Sequence, residues 1–135
     1  SNFLKNLFKD SDKVVRKHLD IPLKNEQWIS EKSMIILLQN KFRPFEVIYQ
    51  ASPKWLSPLR YDAFIPELNL ALEYQGQQHF IPVEIFGGEE GLQQTKERDK
   101  RKLILSEING VSLEYIHYNE NILERIEEIF IRYYK

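Results

Sequence analysis

The chain has 135 residues, 42% of them hydrophobic and 29% charged, with a formal net charge of −1. That length suits one globular domain with a real core, and the charge lacks the overall basic excess usual in a nucleic-acid binder. Cysteine is absent, which excludes disulfides, thiolate zinc sites and cysteine nucleophiles together and fits a reducing, cytoplasmic setting. No run of eighteen apolar residues is present, so no membrane span is expected. The N-terminus mixes apolar residues with Lys5, Lys9 and Asp10, which is no signal-peptide pattern. An opening Ser1 in place of Met is expected of a piece of a longer protein, with Ser1-Asn2 as a cloning remnant.

Residues 2–19 predict an amphipathic helix with Phe3, Leu4, Leu7, Phe8, Val14, Val15 and Leu19 available for burial. Residues 20–28 form a connector with Pro22, so 1–29 are expected as an N-terminal helix and linker, and 30–135 as the main domain. Ser30 is an expected N-cap for a helix over 31–40. Glu31 then sits at the N-terminal end of the buried stripe Met34, Ile35 and Leu38. It is either a first-turn acid favoured by the helix dipole or a carboxylate delivered to a site from the first core helix.

Residues 45–50 predict a strand paired with 60–65 across a loop holding Pro53, Trp55 and Pro58, with Glu46 facing solvent. The stretch 60–80, RYDAFIPELNLALEYQGQQHF, reads as a hairpin whose turn covers Pro66-Glu67-Leu68-Asn69. A turn centred between Glu67 and Leu68 sets Asp62 directly opposite Glu73, with Gln75 on the same face. Leu70, Leu72 and Tyr74 point the other way. Two like charges directly opposed cost a few tenths of a kcal/mol up to ~1, so the pair implies a cation. It is either Arg60, two residues from Asp62 on the same face, or a divalent metal ion held by carboxylate oxygens.

Gly76 ends the second hairpin strand. His79, in the segment that leaves it, either caps the strand end or serves as a proton-transfer group or phosphate contact. Pro82 and Gly87-Gly88 mark a loop that opens a helix over 90–108, with Glu89 and Glu90 in its first turn. Leu92, Asp99 and Leu103 project together there, with Thr95 and Lys102 beside them. Asp99 and Lys102 are either a plain i,i+3 ion pair, worth roughly 0.2–0.5 kcal/mol, or the edge of a polar site. The run KERDKRK over 96–102 is either a solvated face or a phosphate-steering surface. Asn109-Gly110 stops the helix. A strand over 111–117 and a final helix over 120–134, burying Ile122, Leu123, Ile126, Ile129 and Phe130, complete the chain. Trp55, Tyr61, Tyr74 and Phe80 either stack on bases or belong to the core, and His18 and His117 are read as structural. The order is one helix, three antiparallel strands, a helix, a strand and a helix, behind an extra N-terminal helix. A strand that follows a helical crossover joins its neighbour in parallel, so the fold class is α/β with a mixed sheet flanked by helices.

Asp62, ten residues, then Glu73-Tyr74-Gln75, on the second and third strands of this αβββαβ order, resembles the PD-(D/E)xK restriction-endonuclease-like superfamily. The longer set is Tyr61-Asp62, the run from Glu73 to Phe80, Phe86-Gly87-Gly88, and Arg98-Asp99-Lys100 with Lys102. It is similar to the branch of very-short-patch-repair-like and homing-type endonucleases, and the resemblance covers roughly 30–118. It implies Mg²⁺-dependent (or Mn²⁺-dependent) hydrolysis of phosphodiester bonds in DNA, within a larger defence, mobile-element or repair protein. Asp62 and Glu73 would hold the metal, and Glu31 would match the helix-borne acid that completes the site. The family's usual lysine is replaced by Gln75, which can orient a water or offer its carbonyl oxygen but supplies no positive charge. Lys102 is the candidate for that charge, and Gln78, His79 and Asp99 are further site candidates. Lys96, Arg98 and Lys100 are expected to contact nucleic acid, and a homodimer is expected if both strands are cut. The competing reading is a catalytically silent nuclease-like fold used for nucleic-acid binding or protein interaction.

Overall fold

The structure, a computed structural model, describes residues 26–76 and 79–134. The expected helix over 2–19, residues 20–25 of the connector, His18 and Gln78 lie outside the described residues; residues 26–28 of the connector are helical, so the expected boundary after residue 29 falls inside a helix. The described elements are α1 (Glu26–Lys41), β1 (Ile48–Tyr49), β2 (Ala63–Ile65), β3 (Leu70–Gln75), α2 (Gly88–Ile108), β4 (Ser112–His117) and α3 (Ile122–Tyr133). Short 3₁₀ turns at Pro66–Leu68 and Glu84–Phe86 join β2 to β3 and lead into α2.

Helix α1 begins earlier than its expected start and runs through Ser30, which is therefore not its N-cap. Nothing in Glu26-Gln27-Trp28-Ile29 breaks a helix, so a serine's preference for the cap position does not decide the boundary. Met34 and Leu38 are fully buried from this helix, as the apolar spacing predicts.

The strand expected over 45–50 is reduced to Ile48–Tyr49, paired with Phe64 and Ala63 as expected. Gln50 turns it out of the sheet with φ 51, while its N–H still reaches the Asp62 carbonyl at 3.0 Å. Exposed Glu46 does face solvent. The hairpin has the expected register: Ala63 opposes Leu72 and Ile65 opposes Leu70. Its turn closes through Pro66 at the start of the 3₁₀ turn and Asn69 in the left-handed region at φ 48, a conformation that asparagine tolerates. Strand β4 joins β3 in parallel, with Glu73 beside Tyr115 and Gln75 beside His117, giving a four-stranded mixed sheet in the order β1-β2-β3-β4.

One face of the sheet packs Ala63, Ile65, Leu70, Leu72 and Ile116 against Met34 and Leu38 of α1 and Ile122, Ile126 and Ile129 of α3. Burying each of the leucine, isoleucine and methionine side chains in this set stabilises the fold by about 1.5–3 kcal/mol. Asn121 caps α3 by accepting the Glu124 N–H at 3.1 Å, and Arg125 binds Glu114 of β4 at 2.8 Å. The other face carries a smaller apolar group, Leu56, Tyr61, Ala71 and Val111, under Leu105 of α2.

Helix α2 keeps Thr95, Asp99 and Lys102 together on one side as expected, but Leu103, expected beside Asp99, is exposed. The buried residues of the helix are Thr95 and Ser106, while Ile104 and Ile108 are exposed as well. The side of α2 turned to the sheet is thus polar, and it lies over β3 where Glu73 and Gln75 point.

Candidate active site

Beyond Ala63 and Leu72 the hairpin is closed by side chains. Glu73 Oε2 accepts the Asp62 backbone N–H at 2.9 Å, and Asp62 Oδ2 accepts the Tyr74 N–H at 2.7 Å. The two acids staple the splaying strands and are fixed by the backbone they bind. Asp62 also lies within hydrogen-bonding reach of Glu31, which α1 brings to the same place. Tyr49 of β1 holds that carboxylate by donating to Glu31 Oε2 at 3.3 Å. The three acids line one open cleft of about 310 Å³ between the end of the hairpin and α2.

The charge in this cleft is unevenly balanced. Burial pushes the Asp62 carboxyl well above its ordinary value, and the negative charges of Glu73 and Glu31 push it further. Lys102 Nζ, projecting from α2, pairs with Glu73 Oε1, and both side chains are largely buried. Arg60 lines the cleft but is exposed and makes no ion pair among the described residues, so the cation on Glu73 is lysine from α2.

Asp99 forms a second focus, one turn before Lys102. Its Oδ2 contacts His79 Nδ1 at 2.7 Å and accepts from Gln75 Nε2 at 3.4 Å. Asp99 therefore pairs with His79 rather than with Lys102, as the i,i+3 spacing allowed. Gln75 is buried and is not among the residues lining the cleft, whereas His79 and Asp99 are. Tyr115, beside Glu73 across the parallel pair, has its phenol pushed up to about 12 by burial and then by the charges of Asp99 and Glu73, so it stays protonated.

The expected nucleic-acid contacts are divided by the helix. Arg98 lines the cleft and donates to Thr95 Oγ1 at 3.3 Å. Lys96 and Lys100 are exposed on the opposite flank of α2 and do not line the cleft, because two residues along a helix turn a side chain by about 200°. Of the aromatic candidates, Tyr61 and Tyr74 are buried in the core and Trp55 packs edge-on against Tyr61 at 6.2 Å. Phe80 is exposed, resting on His117 and Tyr118.

Tyr49, Tyr115 and Arg101 escaped the sequence reading. Tyr115 lies on the same alternating face as His117, but its approach to Glu73 depends on a parallel register that no local signal specifies. Arg101 stood inside the basic run, and only the rotation of the helix separates it from its neighbours.

A divalent cation has hard oxygen donors available here, in Asp62, Glu73 and Glu31. As placed, these oxygens serve Lys102, two backbone N–H groups and Tyr49. Among the described residues no group of three His, Cys, Asp or Glu side chains surrounds a common cation position. Asp62 thus has two further carboxyls beside it, Glu73 and Glu31, and of the three only Glu73 is paired with an ammonium, that of Lys102. No helix among the described residues is long and apolar enough to cross a membrane. Compared with family models, curated proteins and solved structures, the chain has no match.

Proposed function

We propose that the chain is a metal-dependent phosphodiesterase domain of the PD-(D/E)xK kind, cleaving DNA as part of a larger protein. The observation that supports this reading most is the meeting of Glu31, Asp62 and Glu73, from three different elements, in one cleft that also holds Lys102. A plain structural ion pair needs one acid, and gathering two more carboxyls beside it has an electrostatic cost that folding alone does not require.

In this reading Asp62, Glu73 and Glu31 hold Mg²⁺ or Mn²⁺. When bound, the ion activates a water and offsets charge on the phosphate. Lys102 brings positive charge to the place that Gln75 cannot serve. Asp99 fixes the His79 ring through Nδ1 and leaves Nε2 available to exchange a proton with a leaving oxygen. Gln75 acts at one remove by binding Asp99. The catalytically silent reading draws on a different observation: the carboxylates already have protein partners, and Gln75 is spent on Asp99 rather than turned to the cleft.

The test is cleavage of supercoiled plasmid and of single-stranded DNA with Mg²⁺, Mn²⁺ or EDTA, using wild type beside Glu73→Gln. The expected result is cleavage that needs metal and is lost in the variant. A folded wild type that binds Mn²⁺ calorimetrically but cuts neither substrate would refute the catalytic assignment, and one that also fails to bind Mn²⁺ would favour the silent fold.

A further inference from the structure

The acidic cleft does not end at Arg98. Leu59 and Arg98 line both it and a second, shallower groove of about 420 Å³ that runs on along one flank of α2 past Gln94 and Arg101. Positions 94, 98 and 101 follow the i, i+4, i+7 spacing, so they form a row about 10 Å long on that flank. Arg60, next to Leu59, stands at the mouth of the cleft.

These arginines are distinguished by how they are partnered. Arg125 and Arg132 are bound to Glu114 at 2.8 and 3.0 Å. Arg60, Arg98 and Arg101 are all exposed, and none of them has an ion-pair partner among the described residues. The acid lining the groove, Glu97, accepts from Gln93 at 3.3 Å. Exposed guanidinium groups outside any ion pair, Arg98 with one N–H on Thr95 Oγ1, are suited to phosphate oxygens, which they bind by paired N–H donors. An amide at Gln94 and an apolar shoulder at Leu59 complete a surface that can follow a sugar-phosphate chain without reading its bases.

We propose that this groove is the track for a nucleic-acid strand, with Arg98 and Arg101 holding consecutive phosphates and Arg60 holding the backbone where it enters the acidic cleft. The proposal rests on the nuclease reading for which bond lies over the acids. It gives the domain a positive path despite its net charge of −1, and it assigns binding to one flank of the basic run and not to the run as a whole.

The experiment is fluorescence anisotropy of labelled single-stranded and duplex oligonucleotides in EDTA over a series of salt concentrations. Wild type is compared with Arg98→Gln/Arg101→Gln, with Lys96→Gln/Lys100→Gln, and with Glu73→Gln. Each lost phosphate contact reduces the slope of log K against log salt by about 0.7 for a single strand or 0.9 for a duplex. The arginine pair should therefore lower it by about 1.4 to 1.8, with no such change for the lysine pair. All four positions are exposed, and circular dichroism checks that each variant is folded. An equal loss from the lysine pair, or no binding by wild type at low salt, overturns the track. Glu73→Gln leaves the groove intact, so binding on this pattern without metal-dependent cleavage by wild type would sink the nuclease reading and leave the track standing. Cleavage by wild type with no preference for the arginine flank would do the reverse.

Discussion

Replacing Lys102 by Met removes the ammonium that touches Glu73 while keeping most of the side-chain volume. The Lys102 and Glu73 side chains are 14% and 8% exposed, so water does not readily take the ammonium's place. Removing one partner of a buried ion pair costs about 3–5 kcal/mol, because the other charge stays buried and unpaired. Glu73 keeps the 2.9 Å bond from the Asp62 N–H, which places the loss near the lower end of that range. Unfolding entropy of about 2.1 cal/mol/K per residue gives roughly 0.28 kcal/mol/K for a chain of 135 residues. A loss of about 3 kcal/mol therefore lowers Tm by roughly 10 °C. The assay is thermal unfolding in EDTA at pH 7 of wild type, Lys102→Met, Glu73→Gln and the double variant. Neutralising Glu73 should recover most of the loss, and the two substitutions should be strongly non-additive. Mn²⁺ should then raise the Tm of Lys102→Met more than that of wild type, since the ion relieves the acid left without its partner. A loss below about 1 kcal/mol with additive behaviour would mean an ordinary surface pair, and the charge imbalance inferred for the cleft would be wrong.

Three further perturbations test other parts of the structure. Asp62, its carboxyl raised above the ordinary 3.8, binds its proton more tightly folded than unfolded. The stability it contributes is complete below 3.8 and is lost as pH rises through the folded value. Asp62→Asn should match wild type in acid and become progressively more stable than it toward pH 7 in EDTA; a difference independent of pH in urea titrations would contradict this. Glu114 runs the opposite way. Burial pushes it up, but the Tyr133 and Arg125 hydrogen bonds and the Arg125 and Arg132 charges outweigh burial and hold it below 4.5. Its contribution is present above that value and fades as pH falls through the folded one, so Glu114→Gln should cost stability at pH 7 and progressively less in acid. Gly91→Ala, in the first turns of α2, would put a Cβ 1.9 Å from the Phe86 carbonyl oxygen. An unhindered helix gains about 1 kcal/mol from this exchange, whereas overpacking costs about 1–3. Chemical denaturation should show net destabilisation, and a stabilised variant would show that the Glu84–Phe86 turn yields freely.

What was legible in the sequence follows the range over which each residue acts. The opposition of Asp62 and Glu73 needs only a period of two and a turn centre, and Pro66 and Asn69 supply the turn. The buried stripe of α3 needs only a period of 3.6, and Ile122, Ile126 and Ile129 carry it. The start of α1 was lost because a good capping residue is also tolerated inside a helix, and neighbouring residues set the boundary. The neighbours of Asp99 were lost for another reason. Its spacing to Lys102 on one helix was visible, but its contacts with His79 and Gln75 cross from helix to strand end and depend on how α2 is rotated.

That rotation is the feature that joins fold to function in this reading. Apolar spacing would turn Leu103 inward, yet α2 buries Thr95 and Ser106 and leaves Leu103, Ile104 and Ile108 exposed. The partner explains the choice. Along β3 the side facing α2 presents Ala71, Glu73 and Gln75, and the two polar groups would each be buried without a partner under a leucine-faced helix. Ser106 bonds the buried Tyr61 hydroxyl, Lys102 neutralises Glu73, and Asp99 receives Gln75. Each successive turn of α2 therefore satisfies one polar group on the sheet, and hydrogen bonds and charge set its rotation where hydrophobic burial sets those of α1 and α3. A helix oriented this way leaves apolar residues in water, which is unfavourable for stability taken alone. The same rotation is what places Lys102, Asp99 and Arg98 on the acidic cleft and turns Arg101 toward the groove beside it.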